Sequence, residues 1–156
     1  MRDGLEVVEY CRAEGKDVLA SNTIVGVAES AFQLGNKRLA VELLAEALEV
    51  NRRLDYDIFT GANLVEVTTL LLDAGLYEDA LRLSSFATAF ALERARMADM
   101  SDPFGRAEQE RAAMLANLDD TAIERAVTDS ERLTPEAAVD QALALLESLE
   151  ATLPRG

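Results

Sequence analysis

Few side chains in this sequence can carry catalytic chemistry, because its 156 residues include no histidine and a single cysteine. Without imidazole, the commonest general base and the commonest metal ligand of proteins are both missing. Serine–histidine triads, thiol–imidazole pairs and zinc clusters are therefore excluded. Cys11 stands at helical spacing from Leu5 and Val8, which predicts a small buried hydrophobic residue in place of a reactive thiol.

Carboxylates are the remaining acid–base groups, and Asp and Glu together number 29. Asp119 and Asp120 precede a predicted helix, where acidic side chains accept hydrogen bonds from free backbone N–H groups and interact favourably with the helix dipole. Asp55 and Asp57 are spaced like calcium ligands, but the further acidic residue and the glycine of a calcium loop are missing. A carboxylate-based enzyme stays a remote alternative, and we predict no catalytic residue, metal site or cofactor.

The net charge of −14 restricts the class of partner. Nucleic acids and anionic membranes are bound through cationic patches, so we expect this surface to repel both. A protein or peptide with a basic flank is favoured, and a homodimer or a neighbouring module is an open alternative. Asp3, Glu6 and Glu9 do not fit a signal peptide, and no apolar run approaches the ~18 residues that span a bilayer. These features predict a cytoplasmic protein.

The elements that position these side chains are all predicted to be helices. Apolar residues recur with a 3.6-residue period along most of the chain, and no stretch alternates convincingly as a strand. Aromatic residues make up only 5% of the chain and tryptophan is absent, so the core must consist largely of Ala, Leu and Val. That composition favours closely packed helices, and about eight of them are expected.

Several positions predict where these helices begin and end. Gly35 and Gly75 should stop helices, and Asp17 and Asp57 are candidate N-caps. A cap followed by proline occurs at residues 102–103 and again at 134–135, and Thr121 to Glu124 has the form of a capping box. The predicted buried faces are Leu5, Val8 and Cys11; Ile24, Val27, Ala28 and Ala31; Ala40, Leu43, Leu44, Ala47 and Leu48; Leu64, Val67, Leu71 and Ala74; Ala80, Leu83, Ala87 and Phe90; and Val139, Ala142, Leu143, Leu146 and Leu149.

The segments "LGNKRLAV" and "AGLYEDAL" repeat one spacing, with Gly35 and Ala40 in the first and Gly75 and Ala80 in the second, 40 residues later. Each unit reads as a helix, a glycine turn and a second helix, with small residues where two helices would cross closely. This pattern resembles the tetratricopeptide repeat, whose turn reads Gly-x-Tyr-x-x-Ala and is matched in full by Gly75, Tyr77 and Ala80. The resemblance implies an all-α fold of antiparallel helix pairs stacked as a right-handed solenoid.

A second resemblance covers residues 1 to about 150. The stretches "LAVELLAEALEVNRRLDYD", "AGLYEDALRLSSFATAFAL" and "RAEQERAAMLANLDDTAIERAVTDSERLTPEAAVDQAL" are similar to the C-terminal helical region of STAND-type signalling ATPases of bacteria. These regulators are common in actinobacteria and often carry LuxR-type DNA-binding or adenylate cyclase-like modules. The ATPase core is not in this chain, since "GKD" at Gly15 to Asp17 lacks the Ser or Thr of a phosphate loop. The resemblance implies a non-enzymatic interaction or regulatory module of a signalling or transcriptional regulator.

The tetratricopeptide resemblance also implies a domain organisation and a binding surface. Residues 1–100 would form the repeats and residues 101–156 a C-terminal helical cap packed on them, as one domain overall. First helices line the concave side of such arrays, which we call the concave groove. Mapped through the two glycines, its positions are Asn22, Val25, Glu29, Phe32, Gln33, Ala62, Val65, Thr69, Leu72 and Asp73. Either these residues form an exposed surface for a protein, a peptide or a small molecule, or the C-terminal helices cover them as core.

Overall fold

The computed structural model describes residues 2–54, 57–98 and 105–154, and these ranges contain eight helices and no strand. The helices are α1 (Arg2–Ala13), α2 (Asp17–Gln33), α3 (Lys37–Leu54), α4 (Asp57–Asp73), α5 (Tyr77–Ala98), α6 (Gly105–Leu115), α7 (Asp120–Ser130) and α8 (Pro135–Thr152). The predicted all-α class is confirmed. Within the same ranges, none of the helices combines the length and the apolar character needed to cross a bilayer.

Three of the helix connections are glycine turns with one hydrogen-bond pattern. Gly15, Gly35 and Gly75 have φ angles of 66°, 80° and 77°, a left-handed conformation that residues with a Cβ rarely adopt. In each turn, the N–H after the glycine donates to the carbonyl four residues before the glycine, at 2.8 to 2.9 Å. This bond is the mark of a Schellman motif, which ends a helix and reverses the chain. The predicted stops at Gly35 and Gly75 are confirmed.

The first five helices pack in chain order, α1 on α2, α2 on α3, α3 on α4 and α4 on α5. The C-terminal helices then add to this stack: α6 contacts α4 and α5, α7 contacts α5, and α8 lies against α3, α4 and α5. Arg52 near the end of α3 pairs with Asp140 near the start of α8, whereas Arg38 near the start of α3 pairs with Glu150 near the end of α8. Therefore α8 runs antiparallel to α3.

The core follows the predicted apolar faces, and alanines occupy the close helix crossings. The alanines predicted at these crossings are at most 1% exposed. They are Ala28, Ala40, Ala47, Ala80 and Ala87. A methyl group lets two helix backbones approach, so a larger side chain at these positions would force them apart. Among the predicted core residues, Leu5, Leu143 and Leu149 are half-buried and pack against the core. Ala74 is exposed, because α4 ends at Asp73 and Ala74 already belongs to the turn.

The aspartates predicted to cap α2 and α4 are instead their first helical residues. The residue in the cap position of α2 is Lys16, which makes no side-chain cap hydrogen bond. The carboxylate of Asp17 pairs with Arg53 at the end of α3, at 2.9 Å. The Asp17 carboxylate therefore binds Arg53 of α3 instead of the backbone N–H groups at the start of α2. The predicted cap at Asp17 is wrong.

Of the caps predicted for α7 and α8, the capping box is wrong and the threonine cap is confirmed. Asp119 caps α7, and its carboxylate accepts the N–H of Ala122 at 2.8 Å, so the capping box predicted at Thr121–Glu124 is wrong. Asp119 comes first in the chain, and a carboxylate is a strong N-cap. Thr134 caps α8 as predicted, accepting a backbone N–H at 3.2 Å, and Pro135 is the first helical residue. The similar signal at residues 102–103 lies outside the described residues.

Candidate interaction surface

The concave groove is built on α2 and α4, which contact each other directly. Val25 and Phe32 are two turns apart on α2, and Val65 and Leu72 are two turns apart on α4, so each pair shares one helix face. All four side chains are half-buried and pack against the core. They are therefore partly core and partly surface, between the two alternatives that the sequence left open. Asn22, Ala62, Gln33 and Asp73 are exposed, and Glu29 and Thr69 are half-buried.

A cavity of about 220 Å³ opens between α2, α3 and α4. Its apolar lining consists of Ala28, Phe32, Ala40, Leu44 and Leu70, and its polar lining of Glu29, Gln33, Glu66 and Thr69. The structure thus brings together four of the predicted groove residues. Drug-sized ligands occupy ~300–1,000 Å³, so this cavity suits a single inserted side chain better than a whole ligand. Sequence reasoning missed Glu66, although its position three residues before Thr69 places it on the same helix face.

Acidic side chains border this cavity on three helices. Gln33 Nε2 donates to Glu29 Oε1 at 3.3 Å on α2, and the Thr69 hydroxyl on α4 donates to Glu110 Oε1 on α6 at 2.9 Å. Asp73 forms an ion pair with Lys37. Glu29, Glu66 and Glu110 are the other carboxylates at this surface. Sequence reasoning could not find Glu110, because α6 reaches this side only through tertiary packing.

The C-terminal helix α8 lies mainly on another side of the stack. A second cavity, of about 320 Å³, separates the C-terminal turn of α8 from α3 and α4. Asp73 is the single groove residue that lines it within the described ranges. The described contacts place α8 on α3, α4 and α5, and α6 on α4 and α5. Of the C-terminal helices, α6 therefore borders the groove through Glu110, whereas α8 packs behind it.

Arg38 fixes the C-terminal end of α8 against α3. Its Nη1 donates to Glu150 Oε1 at 2.9 Å, and its Nη2 donates to the carbonyls of Leu153 and Glu150 at 2.6 and 3.1 Å. Its Nε donates to the Pro154 carbonyl at 3.2 Å. Helix α8 ends at Thr152, so Leu153 and Pro154 follow it. The Glu150 carbonyl also accepts the N–H of Leu153 at 3.1 Å. A cation is favoured at a helix C-terminus by the helix dipole. One guanidinium thus ties the last turn of α8 and the two residues after it to α3.

Two carboxyl groups of the described residues, those of Glu78 and Glu136, have a pKa below the ordinary value. Arg125 on α7 donates two hydrogen bonds of 2.6 Å to Glu78 on α5, and this pairing lowers the pKa of Glu78. Hydrogen bonds from its own backbone N–H and from Thr134 lower the pKa of Glu136 at the start of α8. Both shifts favour the ionised form, whereas a general acid needs a raised pKa. The described residues hold no group of three or more acidic or thiol side chains placed to bind a metal ion.

Two asparagines are buried in the helix stack. The Ser21 hydroxyl donates to Asn51 Oδ1 at 2.8 Å, which links α2 to the end of α3. Within the described residues, the amide nitrogens of Asn51 and Asn63 have no hydrogen-bond partner. Both side chains are at most 2% exposed, and an unpartnered buried donor costs ~1–3 kcal/mol. These polar positions interrupt apolar helix faces, and the sequence analysis did not single them out.

Comparison with protein-family models, with curated proteins and with solved structures finds no match for this chain. Any functional conclusion therefore rests on the surfaces described above.

Proposed function

We propose that this protein is a non-enzymatic, tetratricopeptide-like interaction module of a cytoplasmic signalling or transcriptional regulator. Its concave groove would bind a segment of a partner protein. The observation that carries the proposal is the row of half-buried apolar side chains on α2 and α4, Val25, Phe32, Val65 and Leu72, beside a cavity with an acidic border. The relation to STAND-type regulators belongs to the same proposal and rests on the sequence resemblance.

The internal repetition supports the tetratricopeptide-like part. The turns after α2 and α4 share their positive-φ glycine and their hydrogen bonds, and both units bury alanines at equivalent places. The helices α2, α4 and α6 contact one another in order, as first helices do in a solenoid. In this arrangement α8 acts as the cap, lying mainly against α3, the second helix of the first unit, and also against α4 and α5.

The chemistry of the groove favours an amphipathic helix or an extended peptide with a basic flank. Fully burying one leucine or phenylalanine of the partner in the cavity would contribute ~1.5–3 kcal/mol. The net charge of −14 favours lysine or arginine beside that anchor. Complementary charge of this kind speeds association and suppresses wrong partners, while the apolar anchor supplies affinity.

A pair of labelled model peptides tests this function by fluorescence anisotropy. One is an amphipathic peptide of leucine and lysine, and its matched control replaces every lysine with glutamate. We expect the lysine peptide to bind and the glutamate peptide not to bind. Raising the ionic strength from about 0.05 to about 0.5 M should weaken binding several-fold, because salt screens exposed charges.

Substitutions locate the binding site. Phe32→Asp and Leu72→Asp should each weaken binding of the lysine peptide, whereas Leu34→Asp should not, because Leu34 is 70% exposed and belongs to the turn after α2. Circular dichroism of each variant shows whether the fold is retained. If both groove variants unfold, the residues are core, and if both fold and bind normally, the groove is not the site. Either result overturns the proposal.

A receptor for a small ligand is the second candidate, and the cavity of about 220 Å³ favours it. The same apolar lining and acidic border would accept a small aliphatic or aromatic amine. The volume limits such a ligand to about the size of one amino-acid side chain. Thermal-shift screening with small amines separates the candidates, since a stabilising amine that displaces the lysine peptide would favour the receptor.

A further inference from the structure

Three large apolar side chains are exposed at the α1 end of the stack. Val7 and Tyr10 on α1 are 45% and 57% exposed, and Leu19 at the start of α2 is 52% exposed. In the described contacts, α1 packs on α2 and has no further neighbouring helix apart from an ion pair of Arg12 with Glu46 of α3. We call this surface the α1 edge, and it adjoins the concave groove on α2, where Leu19 is one turn from Asn22.

The 40-residue repetition shows what the α1 edge lacks. Shifted by 40 residues, α2 maps onto α4, and α1 maps onto the later part of α3. Val8 and Cys11 map onto Leu48 and Asn51, and all four are at most 1% exposed, so the registers agree. Val7 maps onto Ala47, which is fully buried and whose carbonyl accepts the hydroxyl of Ser21 from α2 at 3.5 Å. Helix α2 therefore covers Ala47, whereas no described helix covers Val7 in the equivalent position.

The outer face of α2 shows the same difference. Leu19, Thr23, Gly26 and Ser30 map onto Phe59, Asn63, Glu66 and Leu70. In α4 these equivalents are buried or half-buried, and Glu66 and Leu70 line the cavity against α2 and α3. In α2, Leu19 and Gly26 are exposed. The chain itself therefore shows how such a face is covered: a helix lies along it, as α2 lies along α3 and α4.

We propose that the α1 edge docks an amphipathic helix of a partner protein, in the position that α2 occupies on α3 and α4. The helix would cover Val7, Tyr10 and Leu19 and pass close to Gly26. Gly26 is one turn from Asn22 and from Glu29 on α2, so this helix would run along the border of the concave groove while its main contacts lie on α1 and at the start of α2.

Gly26 is the feature that adapts α2 to a close neighbour. It lies in the middle of a helix, where glycine is unfavourable, and it does not have a positive φ. A Cβ placed on it would meet nothing within 4 Å, so its own chain gives no packing reason for glycine. The hydroxyls of Thr23 and Ser30 bond back to their own helix at 2.9 Å. Thr23, Gly26 and Ser30 thus form a face of small residues whose hydroxyls already have hydrogen-bond acceptors. Such a face lets a second helix backbone approach closely.

The charge of the edge selects the chemistry of the partner. Asp3 on α1 and Glu14 directly after it are exposed on the same helix face as Val7 and Tyr10. The Nζ of Lys16 lies 4.8 Å from the centre of the Tyr10 ring, so the ring already holds a cation. A helix with lysine or arginine on its flanks would face these carboxylates and could stack a cation on the ring. A second copy of this chain would bring the same carboxylates together, so we assign the edge to a basic partner helix.

The probe for this site is a synthetic helix of about 18 residues, or five turns. It copies the isoleucine and alanine positions that α2 buries against α3 and carries lysine on its other faces. We expect saturable binding to the full chain, with hydrogen-exchange protection appearing in α1. Val7→Glu and Leu19→Glu should each weaken binding by about tenfold or more.

Gly26→Gln is the decisive variant, because the structure leaves room for its side chain. It should keep or raise the melting temperature and yet weaken the probe by about tenfold or more, as its side chain occupies the path of the docked helix. Phe32→Asp serves as the matched control: it alters the concave groove and should leave binding at the edge unchanged. The two variants therefore distinguish loss of binding at the α1 edge from loss of binding at the concave groove.

Three results would overturn the proposal. The first is a parent chain that does not bind the probe. The second is a folded Gly26→Gln variant that binds as tightly as the parent. The third is a dimer, seen by sedimentation, that dissociates on Leu19→Glu, which would assign the edge to a second copy.

Discussion

Replacing Arg38 with alanine tests whether one side chain holds α8 in place. The guanidinium makes four hydrogen bonds to the last turn of α8 and the two residues after it, three of them to backbone carbonyls and one to the Glu150 carboxylate. Its side chain is 26% exposed, and that of Glu150 is 41% exposed, so solvent reaches the pair. Arg38→Ala removes all four bonds without disturbing a buried apolar residue.

The expected cost follows from these contacts. A hydrogen bond contributes ~0.5–1.5 kcal/mol net, and an exposed ion pair ~0–1 kcal/mol. Water can hydrate part of the carbonyls that Arg38 leaves behind, so the four contributions do not add in full. We therefore expect a loss of ~2–3 kcal/mol in the free energy of unfolding.

Urea denaturation followed by circular dichroism measures this loss, and hydrogen exchange shows where it occurs. Amides in the last turns of α8 should lose protection first, because their end of the helix is released. Arg38→Lys should recover only part of the loss, since a lysine cannot reproduce the guanidinium fork. Arg53→Ala is the matched control: its ion pair with Asp17 is 64% and 39% exposed, so it should cost at most ~0.5 kcal/mol.

An Arg38→Ala variant as stable as the parent, with unchanged protection in α8, would refute this reasoning. Apolar packing alone would then hold α8, and the Arg38 guanidinium would contribute nothing measurable to the stability of the protein. Equal losses in the Arg38 and Arg53 variants would also contradict it, since the effect would then follow charge rather than the carbonyl bonds.

Three further predictions concern the core and the pH dependence of stability. Ala80→Leu should cost ~1–3 kcal/mol in urea denaturation, because the helices cross closely there, whereas Glu42→Leu on an exposed face should cost little; equal effects would contradict the alanine crossings. Asn63→Leu should raise stability by ~1 kcal/mol by removing an unpartnered amide, and a loss instead would reveal a partner for it. The Arg125 pair lowers the pKa of Glu78, so its contribution is present above the unfolded pKa and disappears as pH falls through the folded pKa. Glu78→Gln should flatten the acid limb of the stability curve below about pH 4.5, and an unchanged limb would argue against the pair.

The sequence by itself determined the class of the fold and several of its helix boundaries. A 3.6-residue apolar period marks which face of a helix is buried, whatever the helix packs against. Gly35 and Gly75 were identifiable as helix ends because their left-handed φ is a local requirement that few other residues meet. The Thr134 cap of α8 was recognisable because a threonine hydroxyl accepts a free backbone N–H of the helix start and the following proline fits the first helical position.

Local signals failed where two of them competed or where a distant partner intervened. Asp119 and Thr121 were both plausible caps for α7, and the aspartate that comes first took the role. Asp17 lost its predicted cap to an ion pair with Arg53, which lies 36 residues away in the chain. Side-chain partners of this kind depend on how α2 and α3 pack, and no local pattern announces them.

Tertiary structure alone decided which surfaces are open. The residues proposed for the concave groove were chosen from the sequence through the repeat, but Glu110 lies beside them only because α6 packs on α4. Likewise, a spacing of apolar residues marks Val7 as a helix residue but cannot show that no helix covers it, while its equivalent Ala47 is fully buried. Periodicity reports the faces of one helix, whereas exposure is a property of all the helices around it. The candidate binding surfaces of this protein therefore follow from the order in which its helices stack.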